Sequence, residues 1–274
     1  MVMKNKTMQI FIMFLFLGTW GLYGKNGILT SQQMKTAVYL DGMSVPSPGE
    51  IFTAINKVSR PNWAMLSHSG GAPITTNRAQ LALAVGLLVT NGFISVEAQD
   101  GQQVKNIGRD IMAFSKALGV SQNILSRGNN LIEFADHNEW DALRQELEAT
   151  ENEVKTTMIE QQDRNLVTLT SAGAWLRGLE VAAGIVVNNY SPEGAALLDE
   201  PLLAKHLATD LEELSLKLKN DSLVIQVRET LLEIARILEK ENHHLSKEVL
   251  SQIEKKASRV IEVIKTSPSN NNVS

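Results

Sequence analysis

Two long segments of the sequence are apolar on nearly every side, and this constrains the fold more than any other feature. They run from Arg78 to about Glu97 and from Arg164 to about Val187. A helix that is apolar all round belongs in a protein interior or a membrane. Since a glycine inside a helix costs about 1 kcal/mol relative to alanine, small residues at regular spacing indicate close packing that offsets this cost. Each segment has such a stripe at four-residue spacing: Ala82, Gly86 and Thr90 in the first, and Ala174, Gly178 and Ala182 in the second. We therefore predict two buried central helices, which can pack against each other.

Helical periodicity continues through most of the remaining chain. Ser47-Pro48-Gly49-Glu50 has the cap residue, the proline and the acid of a helix start. Apolar residues at intervals of three and four over 224–238 and 250–264 predict two antiparallel helices joined by a short loop. No stretch keeps the alternation typical of strands. The predicted fold is all-α, a multi-helix bundle with two buried central helices and a C-terminal amphipathic antiparallel helical hairpin.

Cap residues predict where the intervening helices begin and end. A polar side chain that precedes an apolar periodic run can accept hydrogen bonds from the first-turn amides. Gly119 is placed to end one of these helices, and the sequence predicts two separate short turns at 121–128 and 131–135. The predicted caps are Asn77, Asp100, Asn138 and Asp163.

The first 24 residues have the layout of a secretory signal peptide. Lys4 and Lys6 precede the apolar run Met8–Leu17, and small residues follow up to Gly24. We expect the segment to be cleaved and the protein to be exported to the periplasm or the cell exterior. The alternative is an N-terminal anchor that faces outside the cytoplasm, although residues 8–24 fall short of the roughly twenty that span a bilayer.

The same patterns divide the rest of the chain into four regions. Residues 25–46 predict an irregular leader with a short strand near 37–40, and residues 47–190 predict a helical core. Residues 191–266 predict a hairpin region packed on that core, and residues 267–274 a disordered polar tail.

Composition excludes several classes of protein. The chain has no cysteine, which excludes thiolate zinc sites, attached c-type haem and an acylated lipoprotein cysteine. Its formal net charge of −4 argues against nucleic acid as a partner, since phosphate binding needs clustered Lys and Arg. A membrane is expected as a partner only if the N-terminal segment stays uncleaved. We predict no cofactor and no metal site, because no ligand spacing of the known kinds occurs.

Charges within a buried helix form the first candidate site. Arg177 and Glu180 are the only charged residues between Leu166 and Val187, at a spacing of three. One interpretation is a structural ion pair on an exposed stripe. The other is a polar pocket lined by Arg177, Glu180 and Trp175, because buried charges are costly unless they are paired or face a wet cavity.

The irregular stretch 59–77 is the second candidate site. Long ordered loops in compact domains are often binding elements. Arg60 and Trp63 would supply a charge and a stacking surface, and His68 lies beside two serines. That arrangement lacks the G-x-S-x-G pattern and a nearby acid, so we interpret His68 as part of a helix end and predict no catalytic residue.

These observations favour an exported, non-enzymatic helical protein that binds a macromolecule or acts as a scaffold in the cell envelope. Its partner would be another protein or a second copy, bound through amphipathic helices. The alternative is a small-molecule or lipid-like ligand binder with a pocket among the central helices. An envelope hydrolase without a recognisable motif is a third hypothesis, since carboxylate pairs are defined by their separation in space.

Overall fold

Helices make up most of the chain that the structure describes, so the all-α prediction is confirmed. The structure is a computed structural model that describes residues 38–40, 43–67, 75–120, 124–241 and 244–266. The predicted signal segment, most of the leader and the C-terminal tail lie outside these residues. The helices are α1 (Pro48–Val58), α2 (Trp63–Leu66), α3 (Arg78–Glu97), α4 (Gly101–Leu118), α5 (Ile124–Asp136), α6 (Trp140–Glu160), α7 (Arg164–Asn188), α8 (Pro192–Ala196), α9 (Pro201–Glu212), α10 (Leu216–Lys219), α11 (Ser222–Lys240) and α12 (Lys247–Thr266).

A small β-hairpin precedes the helices. Strand β1 (Val38–Leu40) pairs antiparallel with β2 (Met43–Val45), with Val38 opposite Val45. The strand expected near 37–40 is therefore present, but the end of the predicted irregular leader is a hairpin. Asp41-Gly42 lies between the strands in the sequence. Asp-Gly is a favoured two-residue hairpin turn, and the sequence prediction overlooked that signal.

Helices α3 and α7 form the centre of the bundle. All residues of α3 from Ala79 to Val96 are buried, and α7 is buried over most of its length. A Cβ atom built on Gly86 would lie 2.1 Å from the carbonyl oxygen of Thr170, and one built on Gly173 would lie 2.2 Å from that of Leu83. The two backbones therefore touch where both helices lack a side chain.

The α7 side of this contact differs from the predicted stripe. Gly173 is the glycine that meets α3, whereas a Cβ on Gly178 would lie 3.3 Å from Ile51 of α1. The Thr90 hydroxyl of α3 lies 3.1 Å from the carbonyl oxygens of Gly86 and Ala174, so it can donate across the contact. Periodicity alone did not separate the two small-residue faces of α7.

The C-terminal helices close on the core of their own chain. Helix α12 packs along α7, and α11 packs on α9 and α12. The apolar residues that repeat along α11 and α12 are all buried in the same continuous core as α3 and α7. The Gln80 amide of α3 donates to the Ile264 carbonyl at 2.8 Å and ties the end of α12 to the centre. The apolar seam of the hairpin is thus covered within one chain.

Most predicted helix boundaries agree with the structure, and two differ. Helix α7 begins directly after Asp163 as predicted, but the Asp163 carboxylate makes no cap hydrogen bond and accepts from Arg78 at 2.8 Å. Asn138 has φ of 58° and follows α5, so α6 begins only at Trp140. Helix α5 is continuous where two turns were predicted. Gly128 does not end it, because that glycine makes room for the Met112 side chain of α4.

One helix within the described ranges, α3, is long and apolar enough to cross a membrane. The whole of its apolar window is buried inside the bundle. Such burial is typical of the core helix of a globular domain.

Replacing Gly86 by alanine should lower the free energy of unfolding by about 3 kcal/mol, the upper end of typical overpacking costs. The atoms that meet the new methyl group are backbone atoms of α7, which cannot rotate away. The matched control is G108A in α4, where a Cβ would lie 3.7 Å from Leu131. That variant should be as stable as the wild type, or gain up to about 1 kcal/mol from helix propensity. Urea unfolding measures both, and equal stability of G86A and G108A would contradict the contact described.

Candidate functional site

A surface cleft of about 340 Å³ lies between α7 and α12, and Leu66 of α2 contributes to its lining. Most of the lining is charged, with contributions from both long helices. Three of the side chains are acidic and two are basic. The charged residues are Arg177, Glu180, Glu254, Glu262 and Lys265, and the others on the long helices are Val181, Gly184 and Asn188.

The predicted pair of Arg177 and Glu180 lies in this cleft. The Arg177 guanidinium donates through Nη1 to Glu180 Oε2 at 2.5 Å and through Nε to Asn91 Oδ1 at 2.9 Å. The two charged side chains are only 14% and 15% exposed. Burial of this degree is costly for single charges, and the pair with its added amide offsets that cost. Arg177 and Glu180 therefore form an ion pair, and this pair lines a cleft and does not lie on an open face of the helix.

The α3–α7 contact positions this network. Thr90 bonds to the carbonyl of Ala174, and Asn91 follows Thr90 directly in α3. Arg177 lies one turn beyond Ala174 in α7, which brings its Nε within reach of the Asn91 amide. Asn91 and Arg177 are therefore brought together by the contact at the centre of the core.

Glu254 of α12 reaches over α7 at Gly184. A Cβ built on Gly184 would lie 2.9 Å from Glu254 Oε1, so the glycine leaves the space that the carboxylate occupies. Burial raises the pKa of Glu254, the charge of Glu180 raises it further, and Lys255 opposes this shift. Within the described residues, no hydrogen bond or ion pair involves Glu254. Lys265, by contrast, pairs with Glu262 at 2.9 Å.

The other predicted site residues lie elsewhere. Trp175 is buried in α7 and does not line the cleft. Trp63 is also buried: its ring lies 4.9 Å from that of Phe52, and its indole nitrogen donates to Asn56 at 3.0 Å. The predicted stacking surface at Trp63 is therefore wrong, because core packing covers the ring. Arg60 is exposed between α1 and α2, and His68 lies outside the described residues.

The sequence prediction missed Asn91, Gly184 and Glu254. Asn91 had the same signal as Arg177, since it is a strongly polar side chain within an apolar helix. Gly184 is the third interior glycine of α7, after Gly173 and Gly178, and such residues indicate close approach by a neighbour. Glu254 had no signal, because it is one of several charged residues on an amphipathic helix.

The chain resembles no known protein in three comparisons. No protein-family model, curated protein or solved structure matches it. Across the described ranges, no group of three or more histidine and carboxylate side chains is placed to hold a metal ion. The cleft itself can therefore be assessed only by its chemistry, which is that of fixed charges suited to binding a polar group.

Replacing Glu254 by glutamine should raise the unfolding midpoint slightly near neutral pH. A raised carboxyl pKa means that ionised Glu254 destabilises the fold. Protonated Glu254 contributes its full stability to the wild-type fold below the pKa of a glutamate in the unfolded chain, about 4.3. This contribution is lost as the pH rises through the raised pKa of Glu254 in the folded protein. The gain in E254Q should therefore vanish near about pH 4, where both side chains are neutral.

Thermal unfolding at the two pH values measures this effect. The matched control is E248Q, an exposed glutamate in the first turn of the same helix, where the negative charge favours the helix dipole, so this variant should lower stability slightly near neutral pH. Lower stability of E254Q than of wild type near neutral pH would show that Glu254 has a stabilising partner.

Proposed function

We propose that the protein is an exported, non-enzymatic binding protein of the cell envelope that engages a macromolecular partner at the α7–α12 cleft. One observation carries the proposal: a largely buried ion pair, Arg177–Glu180, opens on a surface cleft. A purely structural pair could lie on any open stripe of the helix. Here the charges line a concave surface that a partner can reach.

The lining of the cleft favours a macromolecular partner. Small-molecule pockets enclose most of their ligand and are lined mainly by apolar and aromatic side chains. Five of the nine described lining residues of this cleft are charged, and none is aromatic. Such a surface suits a polar group that projects from a larger molecule. The buried seam of α11 and α12 also favours the cleft over the hairpin as the interface.

The non-enzymatic part of the proposal is supported by the same lining. No serine, threonine, histidine or tyrosine is among the described lining residues. Glu180 and Asn91 both accept hydrogen bonds from Arg177, which is an arrangement suited to recognition. Fixed, pre-organised charges recognise a partner without further rearrangement.

A small-molecule binder is the second candidate function. The cleft volume of about 340 Å³ favours it, because ligand pockets range from about 300 to 1,000 Å³. Native mass spectrometry of freshly purified protein distinguishes the two functions. A co-purifying mass of a few hundred daltons that is lost on denaturation would favour the small-molecule function.

Export supplies a direct prediction. Cells that express the full chain should release or transport a protein whose intact mass lacks residues 1–24, because the segment has the layout of a cleaved signal. Fractionation followed by intact mass spectrometry measures this. Full-length protein in the membrane fraction would favour the anchor, and full-length protein in the cytosol would contradict export.

Replacing the ion pair by two methionines should remove binding while the fold is retained. The double variant R177M/E180M should be more stable than R177M and close to wild type, because apolar residues replace a mostly buried pair and only Asn91 Oδ1 loses its donor. The single variant R177M should lose about 1–3 kcal/mol, since it leaves a buried acceptor uncompensated. Unfolding experiments establish both stabilities before binding is tested.

Binding is then measured by photo-crosslinking in the cells that produce the protein. A photoreactive amino acid at Asn188, which is exposed and lines the cleft, should give a discrete adduct. The same amino acid at the exposed Glu133 of α5 serves as the control and should give none. The adduct should disappear in the R177M/E180M background. An adduct of undiminished yield in that stable background would overturn the proposed site.

A further inference from the structure

We infer that the group received by this cleft is an organic cation, an ammonium or guanidinium, held between Glu180 and Glu254 beside Gly184. The inference rests on the proposed function, in that it takes the cleft to be a binding site. It adds the chemical class of the group that binds there.

The first argument is the balance of charge in the cleft. Arg177 is engaged by Glu180 and Asn91, and Lys265 is engaged by Glu262. Glu254 remains as the one lining carboxylate without a hydrogen bond or ion pair to any described residue. A bound cation would compensate this negative charge. A bound anion would be repelled by it, and the two lining bases that could attract the anion are already paired.

The second argument is the geometry around Gly184. Glu180 and Gly184 are one helical turn apart in α7, and Glu254 lies against the glycine from α12. Arg177 holds Oε2 of Glu180, which leaves its Oε1 without a partner among the described residues. Unpaired carboxylate oxygens of Glu180 and Glu254 thus line the same cleft. An ammonium carries three donors and a guanidinium five, so either can bond to both acids.

The raised pKa of Glu254 agrees with a missing counter-ion. Burial and the charge of Glu180 raise the pKa, and Lys255 opposes them only partly. A bound cation would lower this pKa, so its affinity should fall as the pH falls through the pKa of Glu254. The other charged groups of the cleft are Arg177, Glu180, Glu262 and Lys265, whose ion pairs are made within the chain.

The cation can come from a lysine or arginine side chain of a protein partner or from a free amine. Both present the same donors to the two carboxylates, so the structure fixes the shared chemistry. The open, charge-lined form of the cleft agrees with a projecting side chain.

The test is a titration of the purified protein, followed by NMR chemical shifts. The probe is lysine with its main-chain groups capped, and the matched neutral probe is the same compound acetylated on Nζ. Cadaverine serves as the free amine. Capped lysine should shift resonances of α7 and α12, and the acetylated compound should not. Tighter binding of capped lysine than of cadaverine would indicate a protein side chain, and the reverse would indicate a free amine.

Variants then locate the site. E254Q should bind capped lysine about tenfold more weakly, as expected for loss of a charge-assisted hydrogen bond. G184A should also weaken binding, because its methyl group displaces the Glu254 carboxylate while the helix stays intact. E248Q, with the same change of charge on the same helix, should bind like wild type.

Three results would overturn the inference: equal binding of the acetylated probe, full affinity of E254Q for capped lysine, or the absence of any cation binding. If the Asn188 adduct nevertheless forms and depends on Arg177 and Glu180, the cleft is a binding site for another chemistry and the proposed function stands. If that adduct is absent as well, both proposals fail.

Discussion

The structure depends on one contact between backbones, where α3 and α7 meet at Gly86 and Gly173. At this point neither helix has a side chain, so carbonyl groups of each fill the space that a methyl group would need. Helix α4 packs on the outer side of α3, α12 packs along α7, and α1 packs on both. Each of these helices takes its position from the central pair. The Thr90 hydroxyl reinforces the contact by bonding across it.

The candidate site follows from the same contact. Asn91 reaches Arg177 only because the two central helices are so close. Glu254 reaches Gly184 because α12 lies along α7. Binding residues often lie on loops carried by a rigid scaffold, whereas here the described part of the site is built on helices of the scaffold itself. Sites on such elements hold their side chains more precisely than sites on loops.

The features that the sequence predicts correctly are those that depend on residues close together in the chain. The capping box at Ser47 and Glu50 and the bounds of α3 depend on neighbouring residues, and the structure agrees with both. Arg177 and Glu180 were found because charges are rare in an apolar helix. The sequence could not predict which helix packs on which face of α7. Two faces of α7 carry small residues, and only the fold shows that Gly173 contacts α3. Glu254 could not be predicted as a site residue, because its position depends on contact with Gly184, which lies 70 residues earlier in the chain.

The burial of α3 has a consequence for biosynthesis. If the proposed export takes place before folding, the chain would present α3 to the translocation channel well before α7 has emerged to cover it. With a mean hydropathy of 1.7, the segment resembles one that leaves the channel sideways into the bilayer. Gln80 and Asn91 oppose this exit, because their amide groups bond to α12 and α7 in the folded core and would have no such partners among lipid tails. The residues that tie α3 into the folded core would therefore also keep it out of the membrane during transit.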